Sequence, residues 1–95
     1  MHLSKHQYQL TKYPKGVAAA LLGEGRSHAQ TMDYEKAKPL VTQAKEQFMA
    51  LNNLAGVGDS SLELGKIAAL TQSYSVAMDE YNYAYKLFEQ LNDIS

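Results

Sequence analysis

The sequence predicts an all-α protein on three observations. Apolar residues recur at steps of three and four, a segment of forty residues occurs twice, and no segment alternates with the two-residue period of a strand. Residues 16–55 align without a gap on residues 56–95, with twelve identities in forty pairs. A tandem repeat of this kind indicates stacked supersecondary units. We therefore predict two stacked antiparallel helix pairs, and an extra N-terminal helix remains an open alternative.

Composition limits the classes of function. A chain of 95 residues holds one domain at most, and nine Lys and Arg against ten Asp and Glu leave a net charge of -1. This balance lacks the basic surplus that nucleic-acid binding requires. The longest apolar run, residues 16–23, is shorter than the roughly 20 residues of a membrane span. We expect a cytoplasmic protein with no nucleic-acid or membrane partner.

The first repeat, residues 16–55, contains helical patterns at about 16–31 and 34–51. Asp33 is a suitable N-cap for the second of these helices. Pro39 lies within the first two turns, so it is expected to kink this helix without ending it. Residues 1–15 form an N-terminal segment that could be the end of a preceding helix, broken at Pro14.

The second repeat, residues 56–95, follows the same plan, with helices at about 56–71 and 74–91. Small residues on the first helix of each repeat, such as Gly25 and Gly65, allow a neighbouring helix to approach closely. Large residues on the second helix, such as Phe48 and Phe88, fill the space opposite. Alternation of small and large side chains across a helix pair is how a close-packed core forms.

The pattern resembles the tetratricopeptide repeat (TPR), a family of stacked helix pairs that bind proteins and peptides. In the first copy the matching residues are Gly25, Asp33, Tyr34, Ala37, Val41 and Ala44, and in the second they are Leu64, Gly65, Tyr74, Ala77, Tyr81 and Ala84. The period of forty exceeds the usual 34, and is similar to longer-helix variants in signalling scaffolds and bacterial peptide-sensing regulators. Met32 and Gln72 stand where the family has a corner glycine. The resemblance implies a TPR-like α-solenoid fragment.

The resemblance also implies a peptide-binding site on the concave face formed by the first helix of each repeat. The residues expected there are Leu22, Arg26, Gln30, Leu62, Lys66 and Leu70. Arg26 and Lys66 are equivalent positions, so they would form a short basic ladder for a carboxylate of the ligand. The alternative is that both are ordinary solvated surface cations.

Aromatic residues on the last helix indicate a second surface. Core packing explains only some of Tyr81, Tyr83, Tyr85 and Phe88, and aromatic residues are also enriched at protein interfaces. A terminal unit of a solenoid normally turns a polar face to water. We therefore predict that these four residues form an interface, either for self-association or for an adjacent repeat.

No constellation for catalysis, metal binding or a cofactor emerges. Asp79 and Glu80 are adjacent and diverge on a helix, and His2 and His6 lack an obvious third ligand. The predicted function is a non-catalytic protein- or peptide-binding scaffold or adaptor. Two alternatives stay open, a ligand-sensing regulatory module of a larger signalling or transcription regulator and a structural self-association unit.

Overall fold

A computed structural model describes residues 14–94, which form four α-helices. These are α1 (Pro14–Gln30), α2 (Tyr34–Ala50), α3 (Leu54–Leu70) and α4 (Tyr74–Ile94). The described part of the chain contains no strand, so the all-α prediction is confirmed. The alternative of an extra N-terminal helix concerns residues 1–13, which lie outside the described residues.

The helices form two antiparallel pairs. Each connection is only three residues long, so consecutive helices run in opposite directions. Helix α1 packs along α2, α3 packs along α4, and a less extensive contact between α2 and α3 joins the two pairs. Helix α3 also touches α1, whereas α2 and α4 make no backbone contact with each other.

Helices α1 and α3 begin two residues before the positions expected from the repeat. Pro14 is the first residue of α1, where a missing amide hydrogen leaves no intrahelical bond unmade. Asn53 precedes α3 and its side chain accepts a hydrogen bond of 3.1 Å from the amide of Gly56. Asp33 occupies the same position before α2, but its side chain makes no capping hydrogen bond.

The three turns between helices have the same geometry. Met32, Asn52 and Gln72, spaced twenty residues apart, each have a positive φ, of 64°, 56° and 67° respectively. In each turn the next residue's amide donates to a carbonyl five residues earlier, at distances of 2.7 to 2.9 Å. This is the Schellman arrangement that ends many helices, usually with glycine at the left-handed position. The structural unit is therefore one helix and one turn, repeated every twenty residues.

Large side chains from the second helix of each pair pack on glycines of the first. Val41 of α2 fills the space over Gly25 of α1, and Tyr81 of α4 does the same over Gly65 of α3. Phe48 lies against Gly56 and therefore also joins α2 to α3 across the two pairs. The alternation of small and large residues in the sequence thus sets the spacing of the helices.

Helix α3 is the central element of the fold. Buried residues lie on most of its sides, because α2 and α4 both pack against it and α1 touches it. Three buried positions are polar, namely Ser60, Ser61 and Glu63. Its many glycine, serine and alanine residues leave room for three neighbouring helices.

Candidate functional site

A groove of about 340 Å³ lies between α2, α3 and α4. It exists because α2 and α4 both pack against α3 without contacting each other's backbone. Its base is apolar, since Leu64, Ile67 and Ala68 of α3 line it and are at least 92% buried. The other lining residues are Lys38, Thr42, Lys45, Glu46 and Met49 on the α2 side, Thr71 in the turn after α3, and Ser73, Val76 and Glu80 towards α4.

Two exposed apolar side chains form part of the groove walls. Met49 of α2 is 51% exposed and Val76 of α4 is 46% exposed. Neither position is apolar in the other repeat, where the equivalents are Glu89 and Lys36. Apolar residues therefore face this groove where the repeat pattern does not require them.

One ion pair bridges the groove from α2 to α4. The Nζ atom of Lys45 lies 3.0 Å from Oε1 of Glu80, and both side chains are only 20% exposed. The same Nζ lies 4.7 Å from the centre of the Tyr83 ring, within the range of a cation–π contact. The charge of Lys45 is therefore balanced by Glu80 on the α4 side of the groove.

The six residues predicted for the concave face are not equivalent in the structure. Leu22 is a core residue, 6% exposed, and offers little surface to a ligand. Leu62 and Leu70 are 40% and 53% exposed, and Gln30 is exposed as well. Aligned leucines of the two repeats, Leu22 and Leu62, therefore have different environments.

The proposed basic ladder has unequal members. The Nε atom of Arg26 donates to Oε1 of Glu63 at 3.2 Å, and the side chain of Glu63 is 10% exposed. Lys66 is exposed and forms no ion pair with the described residues. Because the position equivalent to Glu63 in the first repeat is Gly23, the sequence repeat does not extend to this ion pair.

The four aromatic residues predicted as an interface on α4 divide between two sides of the helix. Tyr81 and Phe88 contact Gly65 and Gly58 of α3, and Tyr85 is 70% exposed. Tyr83 is turned instead towards Lys45 of α2. The structure therefore separates Tyr83 from the other three.

The groove is not among the sites that the sequence predicts. Its residues come from three helices, and their convergence depends on how the two pairs stack. One sequence signal was present, the apolar residues Met49 and Val76 at positions that are charged in the other repeat. Periodicity within a single helix does not reveal the groove, since Met49 and Val76 both lie outside the buried faces of their helices.

Residues 14–94 contain no cluster of three or more His, Asp or Glu side chains placed to hold a metal ion, and His2 and His6 lie outside this range. Within the same range no helix has the length and apolarity needed to cross a membrane. Comparison with protein-family models, with curated proteins and with solved structures finds no match to this chain.

Proposed function

We propose that this chain is a non-catalytic, TPR-like module that binds a protein or peptide, and that the groove between α2, α3 and α4 receives a short segment of the partner. The observation that carries the proposal is the apolar base of this open groove, formed by Leu64, Ile67 and Ala68. We also propose a cytoplasmic location and a scaffold or adaptor role.

The size and lining of the groove suit one or two apolar side chains of a peptide. A volume of about 340 Å³ falls at the lower end of the range for small ligand sites. An apolar anchor would be desolvated between Met49 and Val76, which would release water from both surfaces. Residues flanking the anchor would stay in solvent, where they add little affinity.

The charges around the groove favour no single sign of ligand. Lys45 and Glu80 neutralise each other, while Lys38 and Glu46 of α2 are both exposed. Affinity would therefore depend on apolar burial more than on ion pairing. We expect binding to change little with salt concentration, because screening acts on exposed charges.

The surface around Arg26 and Lys66 is the competing site, since the resemblance implies ligand binding there. Two observations favour the groove over this surface. Leu22 is buried, and the guanidinium of Arg26 already has a carboxylate partner in Glu63. The alternative of a ligand-sensing regulatory module is compatible with either surface and stays a prediction.

Selection of peptides from a displayed library of short random sequences tests the proposal. The tightest selected peptide would be synthesised with a fluorophore, and its affinity measured by fluorescence anisotropy. We expect Met49→Glu and Val76→Glu to weaken binding at least about tenfold, since each places a carboxylate against the apolar anchor. Both residues are about half exposed, so neither change should disturb folding.

Two control variants separate the groove from the other surfaces. Met78→Glu changes an exposed apolar residue of α4, 64% exposed, outside the groove lining and should leave binding unchanged. The double variant Arg26→Gln with Lys66→Gln removes both cations and keeps a hydrogen-bond donor for Glu63, so it should also bind normally. If it abolishes binding while the two groove variants bind as wild type, the ligand lies on the surface predicted from the resemblance. Failure to enrich any peptide would also overturn the proposal.

A further inference from the structure

Large side chains form a partly exposed stripe on the outer side of α4. Tyr74, Met78, Tyr81 and Tyr85 are 63%, 64%, 39% and 70% exposed. They follow one another at steps of four, three and four residues, so they lie on one face of the helix. This face is distinct from the groove, which Val76 and Glu80 border on the other side of α4.

The equivalent face of α2 is partly covered within the chain, since Val41 is buried and the Lys45 side chain is 20% exposed, whereas Lys38 is exposed. There Phe48 lies against Gly56 of α3, and this contact joins the two helix pairs. Both residue types recur one repeat away, as Phe88 on α4 and Gly16 on α1. Gly16 is exposed, and a second cavity of about 300 Å³ opens beside Phe88, lined also by Tyr85, Glu89 and Asn92. The equivalents of the two residues in the internal contact therefore lie on the two outer helices, and Phe88 also contacts Gly58 of its own chain.

Helix α1 carries small, exposed residues at positions whose equivalents in α3 are buried, and one of these equivalents, Gly56, contacts Phe48 of α2. Five positions that are buried in α3 are exposed in α1; four of them hold the small residues Gly16, Ala20, Gly23 and Ser27, and the fifth holds Glu24. The steps of four, three and four residues between the small ones are the same as those of the large side chains on α4. A Cβ added at Gly23 would meet nothing within 4 Å, so this part of the surface is open.

The residue pair that joins α2 to α4 has repeat equivalents that suit a contact between two copies of the chain. Inside the chain, Lys45 of α2 pairs with Glu80 of α4. If α4 of one copy packed on α1 of a second copy as α2 packs on α3, the equivalent residues would be Tyr85 of the first copy and Leu40 of the second. An apolar pair would then stand where the internal junction has an ion pair.

The groove residues Leu64 and Glu46 have Glu24 and Lys86 as their equivalents across the same junction. These two carry opposite charges. They would therefore line the groove between copies with complementary charge.

We propose that the chain assembles head to tail, with the outer face of α4 in one copy packed on the outer face of α1 in the next. This junction would reproduce the internal α2–α3 contact, with Phe88 of one copy against Gly16 of the other. Because the two faces differ, the contact is heterologous and can continue from copy to copy. The proposal does not depend on peptide binding, since it uses faces outside the α2–α3–α4 groove.

Molar mass in solution, measured by sedimentation velocity over a wide concentration range, tests the proposal. For the wild type, the mean mass should rise with concentration beyond that of two chains. Tyr85→Lys alters only the α4 face and Ala20→Lys only the α1 face, and both residues are exposed. Each variant should remain a monomer. Leu62→Lys, at an exposed residue of α3 outside both faces, should assemble as the wild type does.

A mixture of the two monomeric variants distinguishes head-to-tail assembly from symmetric pairing. Tyr85→Lys chains keep an intact α1 face, and Ala20→Lys chains keep an intact α4 face. The mixture should therefore form dimers of one chain of each kind and nothing larger. Assembly of Ala20→Lys alone would mean that α4 faces pair with each other, which overturns the proposal. A wild type that stays monomeric at every concentration would overturn it as well, once circular dichroism has shown all proteins to be folded.

Discussion

The Nζ atom of Lys45 on α2 lies 3.0 Å from Oε1 of Glu80 on α4, and joins two helices whose backbones do not touch. Both side chains are 80% shielded from solvent, so screening by water and salt is weaker than for an exposed pair. The pair closes part of the groove and holds the second helices of the two repeats in register.

This shielding predicts a measurable coupling between the two residues. In a double-mutant cycle with Lys45→Met and Glu80→Gln, we expect a coupling energy of about 1 kcal/mol from urea unfolding. The control pair is Asp33 and Lys36, whose charged atoms lie 3.8 Å apart with side chains 38% and 70% exposed. Its coupling should be close to zero. Equal couplings for the two pairs would contradict the role given to Lys45 and Glu80.

Two glycines of α1 should respond in opposite ways to alanine. At Gly23 an added methyl group meets nothing within 4 Å, so Gly23→Ala should stabilise the protein by roughly 0.5–1 kcal/mol through helix propensity. At Gly25 the methyl group would meet the side chain of Val41 and the backbone of α2 at Ala37 and Val41. Gly25→Ala should therefore destabilise by about 1–3 kcal/mol through overpacking. Thermal unfolding measures both, and a stabilising Gly25→Ala would show that α1 and α2 are less tightly packed than described.

The left-handed turn residues are a source of stabilising substitutions. Met32 has a φ of 64°, a conformation that disfavours side chains with a Cβ by about 1–2 kcal/mol. Met32→Gly should raise the free energy of unfolding by about 1 kcal/mol, part of the gain being offset by the flexibility of glycine in the unfolded chain. Asn52→Gly is the matched control, and its gain should be smaller because asparagine tolerates this conformation. A destabilising effect of Met32→Gly would contradict the left-handed conformation of this residue.

Two neighbouring serines of α3 differ in hydrogen bonding. Both are fully buried, but Ser60 Oγ donates to the carbonyl of Gly56 at 2.9 Å, whereas Ser61 Oγ has no partner among the described residues. Removing an unsatisfied hydroxyl avoids its desolvation penalty, so Ser61→Ala should stabilise by about 1 kcal/mol. Ser60→Ala should stabilise the protein less, because it also removes the hydrogen bond to Gly56. Chemical denaturation compares them, and the reverse order would point to a partner for Ser61.

The fold class followed from local patterns that depend on a single helix or turn. Helical spacing predicted one apolar face on α2, formed by Tyr34, Ala37, Leu40, Val41, Ala44, Phe48 and Leu51. Ala37, Val41, Ala44 and Phe48 are buried, Tyr34 and Leu40 are half-buried, and Leu51 at the end of the helix is 36% exposed. The twenty-residue turn unit was harder to see, because Met32 and Gln72 occupy positions where glycine would have marked it. Their left-handed conformation is imposed by the packing of the flanking helices and not by their own preference.

The groove, and the exposed fractions of several side chains, depend on distances between helices, and the pattern within one helix does not contain these distances. Leu22 and Leu62 are aligned in the repeat, yet one is 6% and the other 40% exposed. Helical spacing already placed Tyr83 on a different face of α4 from Tyr85, but it did not show that Tyr83 meets Lys45 or that Tyr85 is 70% exposed. Differences of this kind depend on which neighbouring helices each position meets, so they required the three-dimensional arrangement.

Amide chemical shifts of the ¹⁵N-labelled protein, recorded with and without the selected peptide, test the binding groove most directly. Measurements on the Tyr85→Lys variant would remove any effect of self-assembly. The account predicts that the largest shift changes occur at Thr42, Lys45, Leu64, Ala68 and Val76, which surround the groove. Changes centred on Arg26 and Lys66, with the groove residues unaffected, would contradict it.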